Sequence, residues 1–185
     1  MKRKILLIGA STGGPAQIKE LLRGVSHLSF TIVIVQHMKE EVLPFFIKDL
    51  RESLSIKVFS TPFDLDFMEP SIIVCSKSCV LRKEYATYSI ASDSAGQKYT
   101  PDINKLFHSF VDFTDDFEVS VLIMTGIGSD GVEGAKKLKE RGAKIYAQDE
   151  KSSPVYGMPK AAFESAIVDK VMSLEDIKAY LEDSG

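Results

Sequence analysis

Lys4-Ile5-Leu6-Leu7-Ile8-Gly9-Ala10-Ser11-Thr12-Gly13-Gly14-Pro15 decides how the rest of the chain is read. An unbroken apolar run gives way to small residues that permit a sharp turn, and Pro15 suits the first turn of a helix. This is a buried strand running into a tight loop and then a helix. The alternation repeats. Apolar runs over 4–8, 31–35, 56–59, 71–75, 119–124 and 144–147 are rich in Ile, Val and Leu with little alternation, as strands covered on both faces are. Amphipathic stretches over 15–23, 42–53, 102–113 and 131–141 read as the helices between them. In 102–113, Ile103, Leu106, Phe107 and Phe110 recur at helical spacing, and Pro101-Asp102 makes a suitable opening. Gly142 stands where a C-terminal cap belongs. The pattern is α/β, a mostly parallel sheet flanked by helices.

The segment from Ser71 to about Ile90 departs from it and reads as two or three short strands, a small antiparallel hairpin region with polar turns at 76–78 and near Lys83-Glu84. Residues 91–100 have no periodicity and read as a loop. There is no repeat and no Pro- or Ser-rich linker, so 1–185 reads as a single domain.

Composition narrows the function. The chain has 185 residues, 44% hydrophobic and 26% charged, with a formal net charge of -3. No long basic run supplies the face that nucleic-acid binding needs. No apolar run approaches the roughly 18–20 residues that cross a bilayer, so no membrane insertion is expected. The basic, apolar start resembles a signal peptide, but its apolar run is about five residues, short of the roughly 7–15 of a hydrophobic signal region. Cys75 and Cys79 lack the paired spacing of a zinc site and have no histidine nearby, so neither metal nor cofactor is expected. If 76–78 forms a turn the two thiols face each other across a hairpin, and a reducing cytosol favours free thiols over a disulfide.

In open α/β sheets ligands bind beyond the carboxyl ends of the strands. Three such ends carry Ser11, then His37 in Gln36-His37-Met38, then Asp130 in Thr125-Gly126-Ile127-Gly128-Ser129-Asp130-Gly131. The first loop fits Gly-x-Ser-x-Gly, which presents a serine hydroxyl near a helix N-terminus, where free N–H groups suit an oxyanion. The same features describe an anion-binding loop, so the loop alone does not separate the two. A serine needs a base, and only His37 is placed to serve: His27 lies in a polar turn and His108 beside the apolar stripe of its helix, both solvated. Asp130 suits the carboxylate that orients the imidazole, and equally the N-cap of the 131–141 helix. The order Ser, His, Asp differs from the Ser, acid, His of the α/β-hydrolases.

Taken together, Gly9-Ala10-Ser11-Thr12-Gly13-Gly14-Pro15, Val35-Gln36-His37-Met38, Thr125-Gly126-Ile127-Gly128-Ser129-Asp130-Gly131, Ala147-Gln148-Asp149-Glu150 and Val155-Tyr156-Gly157-Met158-Pro159 resemble the catalytic domain of the chemotaxis receptor methylesterase (CheB) family, over residues 5–174. The resemblance implies a Rossmann-like domain in the cytoplasm that hydrolyses glutamate methyl esters on methyl-accepting chemotaxis receptors, with some members also deamidating receptor glutamines. It implies Ser11 as nucleophile, His37 as general base and acid, and Asp130 as orienting carboxylate. Thr12, Ile127 and Gly128 become candidates for the oxyanion site and Met158 for the substrate lining. The Gly157-Met158-Pro159 turn reads equally well as a helix start that supports the core.

Three departures stand out. Ile127 occupies a position where the family commonly has methionine. Cys75-Ser76-Lys77-Ser78-Cys79 replaces an Ala-Pro-rich turn ending in histidine, which leaves that loop's part in substrate binding open. Family members commonly carry an N-terminal receiver domain; this chain starts at the catalytic strand and lacks the acidic residues of a receiver there. The expectation is a natural single-domain form, with a fragment beginning at Met1 as the alternative; the first would be without phosphorylation control in cis.

Overall fold

The computed structural model describes residues 2–65 and 69–183. In chain order the elements are β1 (Arg3–Ala10), α1 (Gly14–Leu22), β2 (Thr31–Gln36), α2 (Leu43–Ser53), β3 (Val58–Ser60), β4 (Phe63–Asp64), β5 (Ile72–Val74), β6 (Cys79–Glu84), β7 (Thr87–Ser92), α3 (Ile103–Ser109), a 3-10 turn (Val111–Phe113), β8 (Phe117–Ile123), α4 (Val132–Glu140), β9 (Lys144–Gln148), α5 (Gly157–Glu164), β10 (Lys170–Met172) and α6 (Leu174–Asp183). Seven strands form one sheet in the order β10-β9-β8-β1-β2-β5-β3, and every pairing within it is parallel. A second, antiparallel sheet has the order β4-β7-β6.

The apolar runs behave as their composition requires. Successive side chains of a strand point to opposite faces, so a strand covered on both faces must be apolar throughout. In β1, Ile5 and Leu7 join one core with Val33 and Val35 of β2, under Leu106 and Phe107 of α3, Leu138 of α4 and Ala162 of α5. Leu6 and Ile8 join the other with Ile32 and Ile34, under Ile18 and Leu21 of α1, Ile47 of α2 and Ile177 of α6. Each such side chain taken fully out of water contributes about 1.5–3 kcal/mol, so the register of β1 between β2 and β8 is strongly specified.

The regions that depart from expectation are short or at an edge. The stripe Ile103, Leu106, Phe107 and Phe110 is fully buried, but α3 ends at Ser109 and the chain continues as the 3-10 turn. The hairpin is β6 with β7, turning at Tyr85-Ala86 just past Lys83-Glu84, and β7 extends to Ser92 inside the expected loop. β5 lies in the parallel sheet instead, so the turn between Cys75 and Cys79 joins two sheets and is not a hairpin. Both cysteines are buried and free. Their thiols hydrogen-bond to each other, which raises the pKa of Cys75 and lowers that of Cys79.

Topology places a crevice at β1. The chain leaves β1 for β2 on one side, and after α3 returns to build β8, β9 and β10 on the other. Where successive connections diverge in this way, the loops at the strands' carboxyl ends part and leave room for a ligand.

Candidate active site

Parallel register brings the serine and histidine loops together. Ala10 pairs with Gln36 at the end of the β1–β2 ladder, and the His37 N–H continues it by donating to the Ala10 carbonyl at 2.9 Å. Ser11 and His37 are therefore the first residues beyond two adjacent strands, whose spacing is about 4.8 Å. On the other flank the Ser11 N–H donates to the Thr125 carbonyl at 2.9 Å, just past the end of β8. Gln36 fastens the first two loops, its Nε2 donating to the Ser11 carbonyl at 2.8 Å and the His37 carbonyl at 2.9 Å.

Two glycines are required by close approach. A Cβ at Gly14 would come within 2.0 Å of Gln36 Oε1, and one at Gly126 within 2.6 Å of Ser11 Cβ and 2.5 Å of Met158 Sδ. The serine loop is thus packed directly on the β8 loop. That loop is held in turn by Thr125, whose hydroxyl donates to the Thr12 carbonyl at 2.8 Å, and whose N–H donates to Gln148 Oε1 at 3.0 Å.

Asp130 enters from the same loop. Its Oδ2 lies 2.6 Å from His37 Nε2, with the histidine side chain 14% and the carboxylate 1% exposed. Asp130 does not cap α4, whose N-cap is Gly131. It serves α3 instead: Oδ2 accepts the Ile103 N–H at 2.9 Å and Oδ1 the Asn104 N–H at 3.0 Å, with the Gly131 N–H at 2.9 Å also on Oδ1. Asp102 takes the next free donor, the Lys105 N–H, at 2.8 Å. A buried carboxylate must have its lone pairs occupied. Here a helix end and an imidazole occupy them together, so the ring is tied to a rigid element.

With Nε2 directed to a carboxylate, which can only accept, that nitrogen carries the proton and Nδ1 keeps its lone pair. Nδ1 is then the nitrogen left able to accept a proton. One face of the His37 ring stacks on Tyr99, centroids 5.2 Å apart and planes inclined at 21°.

The other candidates fall into separate places. Thr12 and Gly128 are exposed, and Ile127 is 68% exposed at the tip of the β8 loop. Met158 is fully buried behind Gly126, its N–H donating to the Gly126 carbonyl at 2.8 Å. Its side chain supports the loop from the core side and presents no surface to solvent. His27 and His108 are exposed, in keeping with their sequence context. Gln36, Tyr99, Thr125 and Gln148 escaped the reading of the sequence as site residues. Gln36 and Gln148 had left a trace, each a polar residue directly following the apolar run of its strand; Tyr99 sits in an aperiodic loop and left none.

A recess of about 760 Å³ opens beside Asp130, lined among others by Tyr99, Asp102, Asn104, Ser129 and Lys136 but by neither Ser11 nor His37. Among the described residues no group of three His, Cys, Asp or Glu side chains is arranged to hold a metal ion, and no helix is long and apolar enough to cross a membrane.

The family model for CheB methylesterase matches residues 6–181. The chain belongs to the CheB methylesterase family. It is 31% identical over 178 residues to protein-glutamate methylesterase/protein-glutamine glutaminase 1 of Saccharophagus degradans, covering 94% of this chain and 48% of that protein. The corresponding protein of Sulfurimonas denitrificans is 34% identical over 180 residues, covering 94% of this chain and 50% of the relative. The chain spans about half the length of the curated relatives it matches. The crystal structure of the Thermotoga maritima CheB methylesterase catalytic domain shares the fold, with a TM-score of 0.86 at 23% identity over 99% of each chain. The seven-stranded sheet with its small antiparallel companion is thus the fold of a CheB catalytic domain.

Proposed function

We propose that residues 1–185 form a single methylesterase domain that hydrolyses glutamate γ-methyl esters on chemotaxis receptors in the cytoplasm. The observation that carries this reading is the His37 Nε2–Asp130 Oδ2 hydrogen bond at 2.6 Å, on a histidine that follows Gln36, the ladder partner of the Ala10 that precedes Ser11. A serine hydroxyl is a weak nucleophile without such a base.

In the proposed reaction the Ser11 Oγ attacks the ester carbonyl as His37 Nδ1 removes its proton. Asp130 stabilises the imidazolium without itself becoming protonated. The carbonyl oxygen, now an anion, is received by backbone N–H groups at Thr12 and in the Ile127-Gly128 segment. Collapse breaks the C–O bond to the methoxy group, which leaves as methanol with the proton returned by His37. Water, deprotonated by the same imidazole, attacks the acyl-serine and releases glutamate. With a glutamine amide the leaving group is ammonia, and the route is otherwise the same; the names of the curated relatives carry both activities.

The placement suits a macromolecular substrate. The serine and histidine lie at an open rim next to the recess beside Asp130, where flanking residues of a receptor segment can rest while one ester side chain reaches Ser11. Ser11→Ala in this chain should abolish methanol release from membranes bearing carboxyl-methylated receptors, with an unchanged far-ultraviolet dichroism spectrum. Turnover at the wild-type rate would remove Ser11 from the mechanism.

A further inference from the structure

We infer that Tyr99 is a positioning residue for His37, a role that rests on the catalytic reading of His37 given above. Among the described residues the imidazole has one side-chain hydrogen bond, from Nε2 to Asp130. A single bond fixes a distance and leaves the ring free to tilt about it, which would change where Nδ1 is presented. The tyrosine removes that freedom by packing flat on one imidazole face, at 5.2 Å between centroids and 21° between planes.

The tyrosine is itself well held for a loop residue. On one side the Lys98 N–H donates to Asp102 Oδ2 at 2.9 Å, and on the other the Thr100 carbonyl accepts the Met38 N–H at 3.3 Å. The second bond ties the loop to the residue after His37, so ring and backbone are gripped together. Further back, Lys105 Nζ binds Asp93 Oδ1 at 2.9 Å and the Ala95 carbonyl, drawing the loop onto α3. Because α3 also holds Asp130 through Ile103 and Asn104, one short helix sets both partners of the histidine. The aromatic face has a second use. When His37 takes the serine proton it becomes a cation, and a cation on a tyrosine face is favoured by the ring quadrupole.

Ring and hydroxyl make different predictions, so Tyr99→Leu and Tyr99→Phe separate them. With methylated receptor membranes as substrate, Tyr99→Leu should lower kcat by about tenfold, a larger effect than any rise in KM from its place in the recess lining, since small misplacement of a catalytic group is costly to rate. Tyr99→Phe should recover most of the lost kcat. The chain has 3 histidines, so the His37 ring protons can be followed by NMR. They should move downfield in Tyr99→Leu on losing the stacked ring's shielding, and stay in place in Tyr99→Phe. An unchanged kcat in Tyr99→Leu, a loss confined to KM, a Tyr99→Phe variant as slow as Tyr99→Leu, or unmoved His37 protons would each overturn the inference. Failure of the catalytic reading shows separately, as hydrolysis persisting in Ser11→Ala, and the NMR measurement does not depend on turnover.

Discussion

His37 Nε2 and Asp130 Oδ2 stand 2.6 Å apart, and the same oxygen accepts the Ile103 N–H that opens α3. The carboxylate therefore does two jobs at one atom. It orients an imidazole at the rim of the sheet, and it satisfies a helix end that would otherwise face the interior with free donors. The geometry of the proposed catalytic pair and local folding are coupled through it.

The coupling separates two substitutions at this position. Asp130→Asn keeps one oxygen to accept N–H bonds but weakens the hold on the protonated Nε2, so kcat should fall by roughly 10³–10⁴-fold with modest loss of stability. Asp130→Ala leaves the N–H groups of Ile103, Asn104 and Gly131 without this acceptor and should also destabilise the fold by about 1–3 kcal/mol or more. Denaturant unfolding run beside turnover assays checks both. Equal stability of the two variants would contradict the capping role.

Gly126 tests the packing of the serine loop. A methyl group there meets Ser11 Cβ and Met158 Sδ at 2.6 and 2.5 Å, distances that force something to move. Gly126→Ala should displace the serine loop, cutting activity by an order of magnitude or more and costing about 1–3 kcal/mol from overpacking. Gly142→Ala, with nothing within 4 Å of the added carbon and lying between α4 and the start of β9, away from the loops at the strands' carboxyl ends, serves as the control for space, although its positive φ adds backbone strain of its own. Wild-type turnover in Gly126→Ala would show that the two loops are not in contact as described.

Asp169 sets an acid limit on stability. Burial works to raise its carboxyl, but the Ile145 N–H at 2.8 Å and Lys139 Nζ at 3.1 Å outweigh it and hold the group below its ordinary 3.8. A folded value below the unfolded one means stabilisation that is complete above the unfolded value and is lost as pH falls through the folded one. The Tm difference between wild type and Asp169→Asn should be constant well above pH 3.8 and narrow below it. A difference that widens in acid would contradict the sign.

The legible part of the fold was the part that hydrophobicity writes plainly. β1, β2 and β8 lie in the middle of the sheet with both faces covered, and their apolar runs place them within two residues of the observed bounds. β10 escaped because it has three residues at an edge, two of them exposed, and so carries no apolar run. α6 escaped with it, since its buried Ile177 and Leu181 are spread among charged residues. In the site, Ser11, His37 and Asp130 were legible because each closes or follows a strand. The cap that Asp130 gives to α3, 27 residues away, and the stacking of Tyr99 on His37 depend on long-range packing, which local sequence does not encode.

The most direct test of the central claim is the mapping of a fluorophosphonate adduct by mass spectrometry, since such reagents react with a serine only where a base and an oxyanion site activate it. One adduct is expected, on the peptide containing Ser11, absent in Ser11→Ala and formed far more slowly in His37→Gln. An unlabelled protein, or an adduct on another serine that persists in Ser11→Ala, would contradict it.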